Sequence, residues 1–209
     1  MGGTTSKLSL EQRQDLNSRF NFSTSEITNL HNRFLALDTD KDDHITRSEL
    51  LWLPELVNNP LRARVLALCP HEKEKLTFED MLETLKPFSA KSPQSLKIKA
   101  AFKMYDVDNS GEITHCDLVA VLRLLMNELM SEEELDVIAK KAMTEADADG
   151  NAAIDEEEFD KIMAPVDLRE RMSFEVKRGF RIKRSAKQEV IPPSPAPAPE
   201  QKDESKNEV

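Results

Sequence analysis

The sequence predicts an all-α protein with two lobes, each built from two helix–loop–helix units. Apolar residues recur at helical spacing, as in the run Ile27, Leu30, Phe34 and Leu37. Four segments interrupt this spacing, beginning at residues 38, 69, 106 and 147, and three of them are rich in Asp. Each segment carries Ile or Leu at its eighth position, which ordinary acidic turns do not explain. We therefore expect the loops to pair two by two through short β links.

Several of the predicted helices begin with a recognisable cap. A Ser followed three residues later by Glu or Gln can form a capping box, in which each side chain accepts a hydrogen bond from the other residue's main-chain N–H. The pattern occurs in Ser9 with Gln12, Ser23 with Glu26, and Ser131 with Glu134. These pairs predict the starts of the first and second helices and of the helix that enters the fourth loop.

Residues 38–49 form the first acidic segment. Carboxylates at positions 1, 3, 5 and 12, with a main-chain carbonyl at position 7, are the arrangement of the EF-hand calcium loop. Position 6 normally needs glycine, and Asp43 there is expected to weaken the turn. The predicted ligands are Asp38, Asp40, Asp42, His44 and Glu49.

Residues 69–80 form a second loop that keeps the spacing and lacks the ligands. Cys69, His71 and Lys73 occupy positions 1, 3 and 5, so we expect no calcium there. Leu76 is at position 8 and is expected to pair with Ile45 of the first loop. A zinc site built from Cys69 and His71 is an alternative, but two ligands among lysines make it a poor one.

The connections around these loops also predict helices. We expect an exiting helix at residues 50–56 and a further helix at 61–68. In the linker, Ser92 can cap the next helix, with Pro93 in its first turn.

Residues 106–117 have the best turn of the four loops, because Gly111 occupies position 6. Position 12 is Asp117, which is one methylene shorter than Glu and less able to chelate with both oxygens. Six-coordination is then favoured, so this loop can hold Mg²⁺ or bind Ca²⁺ weakly. The predicted ligands are Asp106, Asp108, Ser110, Glu112 and Asp117.

Residues 147–158 have the reverse defect. Their ligand set is the best of the four, but Ala152 replaces glycine at position 6, at a cost of about 1 kcal/mol if φ is positive. The predicted ligands are Asp147, Asp149, Asn151, Ala153 and Glu158, and Asp155 adds an oxygen-bearing side chain at position 9. We expect the third and fourth loops to act as one unit joined through Ile113 and Ile154.

The helix after the third loop has more apolar residues than burial on one face requires. Calcium sensors expose Met- and Leu-rich grooves that bind partner helices. For each residue alone, ordinary core packing is the simpler interpretation, whereas the set favours a partner groove. The predicted groove residues are Leu122, Leu125, Met126, Leu129 and Met130.

Both ends of the chain carry possible membrane signals. Gly2 and Ser6 match the N-myristoylation pattern. Residues 177–187 carry six basic charges and can either support a lipid anchor at an anionic surface or form a solvated linker. The Pro-rich residues 192–199 predict disorder.

Composition limits the functional classes. The net charge is −10 over 209 residues, which disfavours nucleic acid as a partner and is compatible with a cation-binding protein. The two cysteines do not form a disulfide framework. No apolar run reaches the roughly 18 residues of a transmembrane helix. We expect a cytoplasmic protein, peripheral at the inner face of the plasma membrane or at endomembranes.

These features divide the chain into five parts: a myristoylated segment and helix at 1–21, an N-terminal lobe at 22–88, a linker at 89–94, a C-terminal lobe at 95–165, and an extension at 166–209 that is basic and then Pro-rich. The histidines are scattered, with no nucleophile or cofactor motif beside them, so we do not expect an enzyme.

At the level of whole motifs, the chain resembles the calcineurin B family, and most closely the calcineurin B homologous proteins. The resemblance extends from Gly2 to about Val176. It rests on Phe22-Ser-Thr-Ser-Glu-Ile-Thr, Leu53-Pro-Glu-Leu, Asn59-Pro-Leu, Ala101-Phe-Lys-Met-Tyr-Asp, Glu145-Ala-Asp-Ala-Asp-Gly and Val166-Asp-Leu-Arg-Glu-Arg-Met-Ser. It implies a myristoylated calcium-binding protein that holds an amphipathic helix of a partner. The implied partner is a membrane transporter such as a Na⁺/H⁺ exchanger, with roles in trafficking or in calcineurin inhibition.

Other functions remain open at this stage. The chain differs from the exchanger cofactors in its complete first loop and in a shorter segment between the second and third units. Asp117 is similar to the calcium- and integrin-binding relatives, which makes an adaptor of that type an alternative. A regulatory protein of the calcineurin B type, which binds the catalytic subunit of a calcineurin-like phosphatase, is another. A plain calcium buffer is a third, and the Gly2 motif and the groove residues argue against it.

Overall fold

The computed structural model describes residues 8–70, 73–126, 129–174 and 176. In chain order, the α-helices of these residues are Leu10–Phe20 (α1), Thr24–Leu37 (α2), Arg47–Leu50 (α3), Pro54–Val57 (α4), Phe78–Leu85 (α5), Gln94–Tyr105 (α6), His115–Met126 (α7), Glu132–Ala146 (α8), Glu156–Met163 (α9) and Leu168–Arg171 (α10). The 3₁₀ helices are Arg62–Leu68 and Lys86–Phe88. The strands are Ile45–Thr46 (β1), Lys75–Leu76 (β2), Ile113–Thr114 (β3) and Ala153–Ile154 (β4).

Short antiparallel links join the loops two by two, as predicted. Ile45 pairs with Leu76, and Ile113 pairs with Ile154. All four side chains are buried, so the position-8 residues contribute both the β link and part of the core. The second loop therefore keeps its structural role without calcium ligands.

The predicted capping boxes are confirmed. Ser9, Ser23 and Ser131 each accept a hydrogen bond from the main-chain N–H three residues on, and the returning bonds from Gln12, Glu26 and Glu134 are also present. Each box pairs otherwise unsatisfied N–H groups at a helix start.

Three local predictions were wrong. The expected helix at 50–56 is broken into α3 and α4, because Pro54 disfavours helical geometry at Leu53, whose ψ is 131°. Residues 62–68 form a 3₁₀ helix rather than an α-helix. Ser92 does not cap α6: its hydroxyl donates to the main-chain oxygen of Lys86, and Pro93 precedes the helix without a side-chain cap.

The buried apolar side chains form two clusters. One lies under the first two units, and the other lies under the third and fourth. Met104 of α6 belongs to the first cluster, although Ile98 and Phe102 of the same helix belong to the second. Helix α6 therefore packs on both clusters.

The C-terminal segment returns to the first cluster. Phe174 stacks on Phe88 with 5.7 Å between ring centroids, and Val176 is buried in the same cluster. Lys97 is fully buried nearby, and its Nζ donates to the main-chain oxygens of Pro87 (2.7 Å) and Ser89 (2.9 Å) and to Ser173 Oγ (3.0 Å). Burial lowers the pKa of Lys97. These bonds fix the linker against the segment that follows α10.

Arg64 connects the first half of the chain to the third loop. Its guanidinium donates to the main-chain oxygens of Met104 (2.9 Å) and Lys103 (3.3 Å), near the end of α6. It also donates to the main-chain oxygens of Asp106 (2.7 Å) and Val107 (3.5 Å), the first two residues of the loop. Arg64 thereby satisfies carbonyls at a helix end that have no intrahelical donor.

The Arg64→Met variant should lose about 2 kcal/mol of unfolding free energy, because hydrogen bonds from a charged group to partly buried carbonyls are lost. Urea denaturation followed by circular dichroism measures this. Arg62→Met is the matched control, since the one side-chain bond of Arg62 within the described residues is a 3.5 Å contact with Val57 O. Equal losses in the two variants would contradict a special role for Arg64.

Candidate metal centres

Three groups of carboxylates converge in the described part of the chain. They are Asp38 with Asp40 and Asp42, Asp106 with Asp108 and Asp117, and Asp147 with Asp149 and Glu158. Within each group one ligand oxygen per residue lies within 4.8 Å of the others. Oxygens that share a Ca²⁺ ion at roughly 2.3–2.6 Å lie no more than about 5 Å apart, so the spacing and the donor type fit this ion.

In the fourth loop, main-chain N–H groups arrange the carboxylates. Asp147 accepts from Gly150 N (2.7 Å), Asn151 N (3.2 Å) and Ala152 N (2.9 Å). Glu158 lies on α9 and is buried, and its Oε1 accepts from Ala148 N at 2.7 Å. The carboxylate at position 12 thus closes the loop onto position 2.

The third loop closes in the same way. Asp106 accepts from Ser110 N and Gly111 N, both at 3.0 Å. Asp117 Oδ1 accepts from Val107 N at 3.0 Å, and its Oδ2 accepts from Thr114 N at 2.8 Å. The shorter side chain at position 12 therefore reaches the loop and is buried there.

Two positions in each acidic loop have positive φ. Position 6 is Asp43 (φ 63°), Gly111 (φ 90°) or Ala152 (φ 66°), as expected from the motif. Position 4 is also left-handed, and it is occupied by Lys41 (φ 58°), Asn109 (φ 58°) and Gly150 (φ 80°). The positive φ at position 4 was not predicted, although Asn109 and Gly150 are residue types that adopt this conformation readily.

The hydrogen bonds within the loops favour the ionised carboxylates. Burial alone would raise the pKa of Asp147, but donation from Ala152, Gly150 and Asn151 lowers it. Bonds from the side chain and main chain of Ser110 lower the pKa of Asp108. The loops therefore hold charged oxygen donors, which a hard cation requires.

The first loop differs from these two. Glu49 Oε2 accepts from Thr46 N (2.9 Å) and Thr46 Oγ1 (3.0 Å), and no hydrogen bond within the described residues joins Glu49 to position 2 of the loop. Lys75 of the second loop donates to Asp42 and lies 3.8 Å from Asp40. A lysine ammonium is thus already paired with the carboxylates of this loop.

The second loop contains its own internal pair. Lys73 Nζ donates to Asp80 at 2.9 Å and 3.0 Å, which joins positions 5 and 12. Cys69 is buried, and Thr84 Oγ1 donates to its Sγ at 3.7 Å. His71, the other residue of the zinc alternative, lies outside the described residues.

The predicted groove residues have different environments. Leu122 packs on the second cluster, and Leu125, Met126 and Met130 are partly buried. Leu129 is 84% exposed. Leu124, which is not one of the predicted groove residues, is 39% exposed.

Leu124 lines a cleft of about 540 Å³ between α7 and the segment around α4. The lining residues are Val57, Asn58, Asn59, Pro60, Arg62, Arg123 and Leu124.

Membrane attachment is not described by the structure. Gly2 and residues 177–187 lie outside the described residues. Among the helices that are described, none has both the length and the apolar character needed to cross a bilayer.

Comparison with known proteins identifies similar chains. The family described as an EF-hand domain pair matches residues 95–164. The calcineurin B protein of Naegleria gruberi is 34% identical over 174 residues, which are 83% of this chain and 98% of the relative. The calcineurin B protein of Yarrowia lipolytica is 32% identical over 75% of this chain and 91% of the relative. That of Schizosaccharomyces pombe is 32% identical over 72% and 87%.

The Glu158→Gln variant should lose most of the calcium affinity of the fourth loop, because a neutral amide replaces the buried carboxylate at position 12. Isothermal titration calorimetry measures the loss. Glu157→Gln on the exposed face of α9 is the matched control. An unchanged titration of Glu158→Gln would exclude this residue as a main ligand.

The Ala152→Gly variant should be more stable by about 1 kcal/mol, since glycine has no Cβ to strain at φ 66°. Thermal unfolding in calcium-free buffer measures the change. Ala148→Gly in the same loop is the control, because Ala148 does not have positive φ and gains nothing from glycine. A lower Tm for Ala152→Gly would contradict the strain argument.

Proposed function

The chain belongs to the calcineurin B family of EF-hand proteins, and on this premise we propose that it is the B-type regulatory protein of a calcineurin-like phosphatase. It is a non-catalytic calcium-binding regulatory protein. Its proposed role is to hold a helical segment of a catalytic subunit. The match to a calcineurin B protein over 98% of the relative's length carries this proposal.

The cleft beside α7 supports the binding of a helix. Val57 and Leu124 are both 39% exposed and line the cleft together with Pro60. Partner helices bind such grooves through apolar side chains on one face. Arg62 and Arg123 also line the cleft, although Glu132 already pairs with Arg123.

Calcium would supply a divalent charge that holds the carboxylates of a loop together. The proposed ligands in the C-terminal half are those predicted for the third and fourth loops, with Glu158 and Asp117 closing them. Both residues lie in the first turn of helices that pack on the second cluster, since Leu118 follows Asp117 and Phe159 follows Glu158. The position of α7 is therefore tied to the third loop.

The exchanger-cofactor function is a second candidate. The Gly2 motif and the basic residues 177–187 favour it, because both would help at a membrane surface. The named relatives, however, are calcineurin B proteins, which favours the phosphatase alternative over the exchanger prediction. The assignments to calcineurin B homologous proteins, to myristoylation and to an inner-membrane location stay predictions.

Two labelled peptides distinguish the candidates. One is the helix of a calcineurin catalytic subunit that contacts calcineurin B, and the other is the juxtamembrane helix of a Na⁺/H⁺ exchanger. Fluorescence anisotropy with the full chain in calcium should give tighter binding of the phosphatase peptide. Tighter binding of the exchanger peptide would support the second candidate, and binding of neither would contradict both.

The Leu124→Glu variant should weaken binding of the phosphatase peptide at least tenfold, because a charge replaces apolar contact area worth more than about 1.4 kcal/mol. Val137→Glu is the matched control. Val137 is 64% exposed on α8 and is not among the described residues that line the cleft. Equal weakening in both variants would place the binding surface elsewhere.

A further inference from the structure

We propose that Lys75 sets the ion content of the N-terminal pair of loops: its ammonium holds the carboxylates of the first loop and disfavours calcium there. The chain would then bind calcium at the third and fourth loops and keep the first loop paired with Lys75 of the second loop. This inference concerns metal selectivity and does not depend on which partner the chain binds.

The β link between the first two loops fixes the position of the Lys75 main chain. Thr46 pairs with Lys75 in the same antiparallel link that pairs Ile45 with Leu76. The main chain of Lys75 therefore lies beside the first loop, although the residue belongs to the second. From this position its Nζ donates to Asp42 and lies 3.8 Å from Asp40.

The equivalent position in the other pair of loops carries no charge. In the C-terminal pair, Ala153 of the fourth loop faces Thr114 of the third. Lys75 and Ala153 both occupy position 7 of the second loop in their pair. The third loop thus faces a methyl group where the first loop faces an ammonium group.

The carboxylate at position 12 of the first loop is also held differently from those of the third and fourth loops. Asp117 and Glu158 close their loops onto the N–H of position 2. Glu49 instead accepts hydrogen bonds only from Thr46 among the described residues. The ion pair of Lys75 with Asp42 therefore occurs in a loop whose position-12 carboxylate, Glu49, makes no hydrogen bond to position 2 within the described residues.

The charges favour a selective effect on calcium. Lys75 and Asp42 are half-exposed, with side chains 53% and 34% accessible, so the ion pair itself contributes little to folding. Calcium must displace this pair or tolerate a positive charge nearby. Repulsion between a divalent ion and a unit charge about 4 Å away is enough to lower affinity roughly tenfold at high dielectric constant.

Calorimetry on the full chain tests the inference. At physiological salt, the original chain should bind two calcium ions, and Lys75→Met should bind a third with an affinity at least tenfold above any binding at the first loop of the original chain. Lys73→Met is the matched control, because it removes a neighbouring lysine that pairs only with Asp80 among the described residues. It should leave the stoichiometry at two.

Two further measurements identify the new site. Trp52 is the single tryptophan and follows α3, so its fluorescence should respond to the third ion in Lys75→Met. Adding Asp40→Asn to Lys75→Met should abolish the gain. The inference is overturned if Lys75→Met titrates like the original chain, if the original chain already binds three ions equally well, or if the gain survives Asp40→Asn.

Discussion

The repulsion between carboxylates is the constraint on which this structure depends. Each acidic loop gathers three of them with ligand oxygens within 4.8 Å, an arrangement that needs compensating positive charge or hydrogen-bond donors. The fourth loop supplies main-chain N–H groups to Asp147 and Glu158. The carboxylates of the first loop are also paired with a lysine, Lys75, which the second loop supplies. The two halves of the chain therefore meet the same electrostatic requirement in different ways.

This requirement also explains the backbone of the loops. In each acidic loop the N–H of position 6 donates to the carboxylate at position 1, and positions 4 and 6 both lie in the left-handed region. Gly111 and Gly150 adopt that region at little cost, whereas Asp43 and Ala152 adopt it against their preference. The strain at Ala152 is accepted because its N–H donates to Asp147 at 2.9 Å. The hydrogen bond from Ala152 N to Asp147 therefore stabilises a left-handed turn that alanine disfavours.

The features that depend on residue spacing could be predicted from the sequence. The side-chain contacts that depend on the folded neighbours of a residue could not. The loop positions, the pairing of Ile113 with Ile154 and the capping boxes follow from local patterns, and the structure contains them. Ser92 is a residue type that commonly caps helices, but its hydroxyl donates a hydrogen bond to the main-chain oxygen of Lys86 instead. The contact of Lys75 with Asp42 joins residues 33 positions apart, so no local pattern could reveal it.

Arg64 connects the two halves of the chain, although the carboxylate charge of their loops is compensated in different ways. Arg64 lies in the first half and holds the main-chain oxygens of Asp106 and Val107, where the third loop begins. A change in the third loop that moved these oxygens would have to lengthen bonds to Arg64, whose 3₁₀ helix also buries Val65 in the first cluster. If Lys75 keeps the first loop independent of calcium, the first half acts as a fixed support. The other end of the third loop leads into α7, which carries Leu124 of the cleft, so the loop joins the support at Arg64 to the surface proposed for the partner.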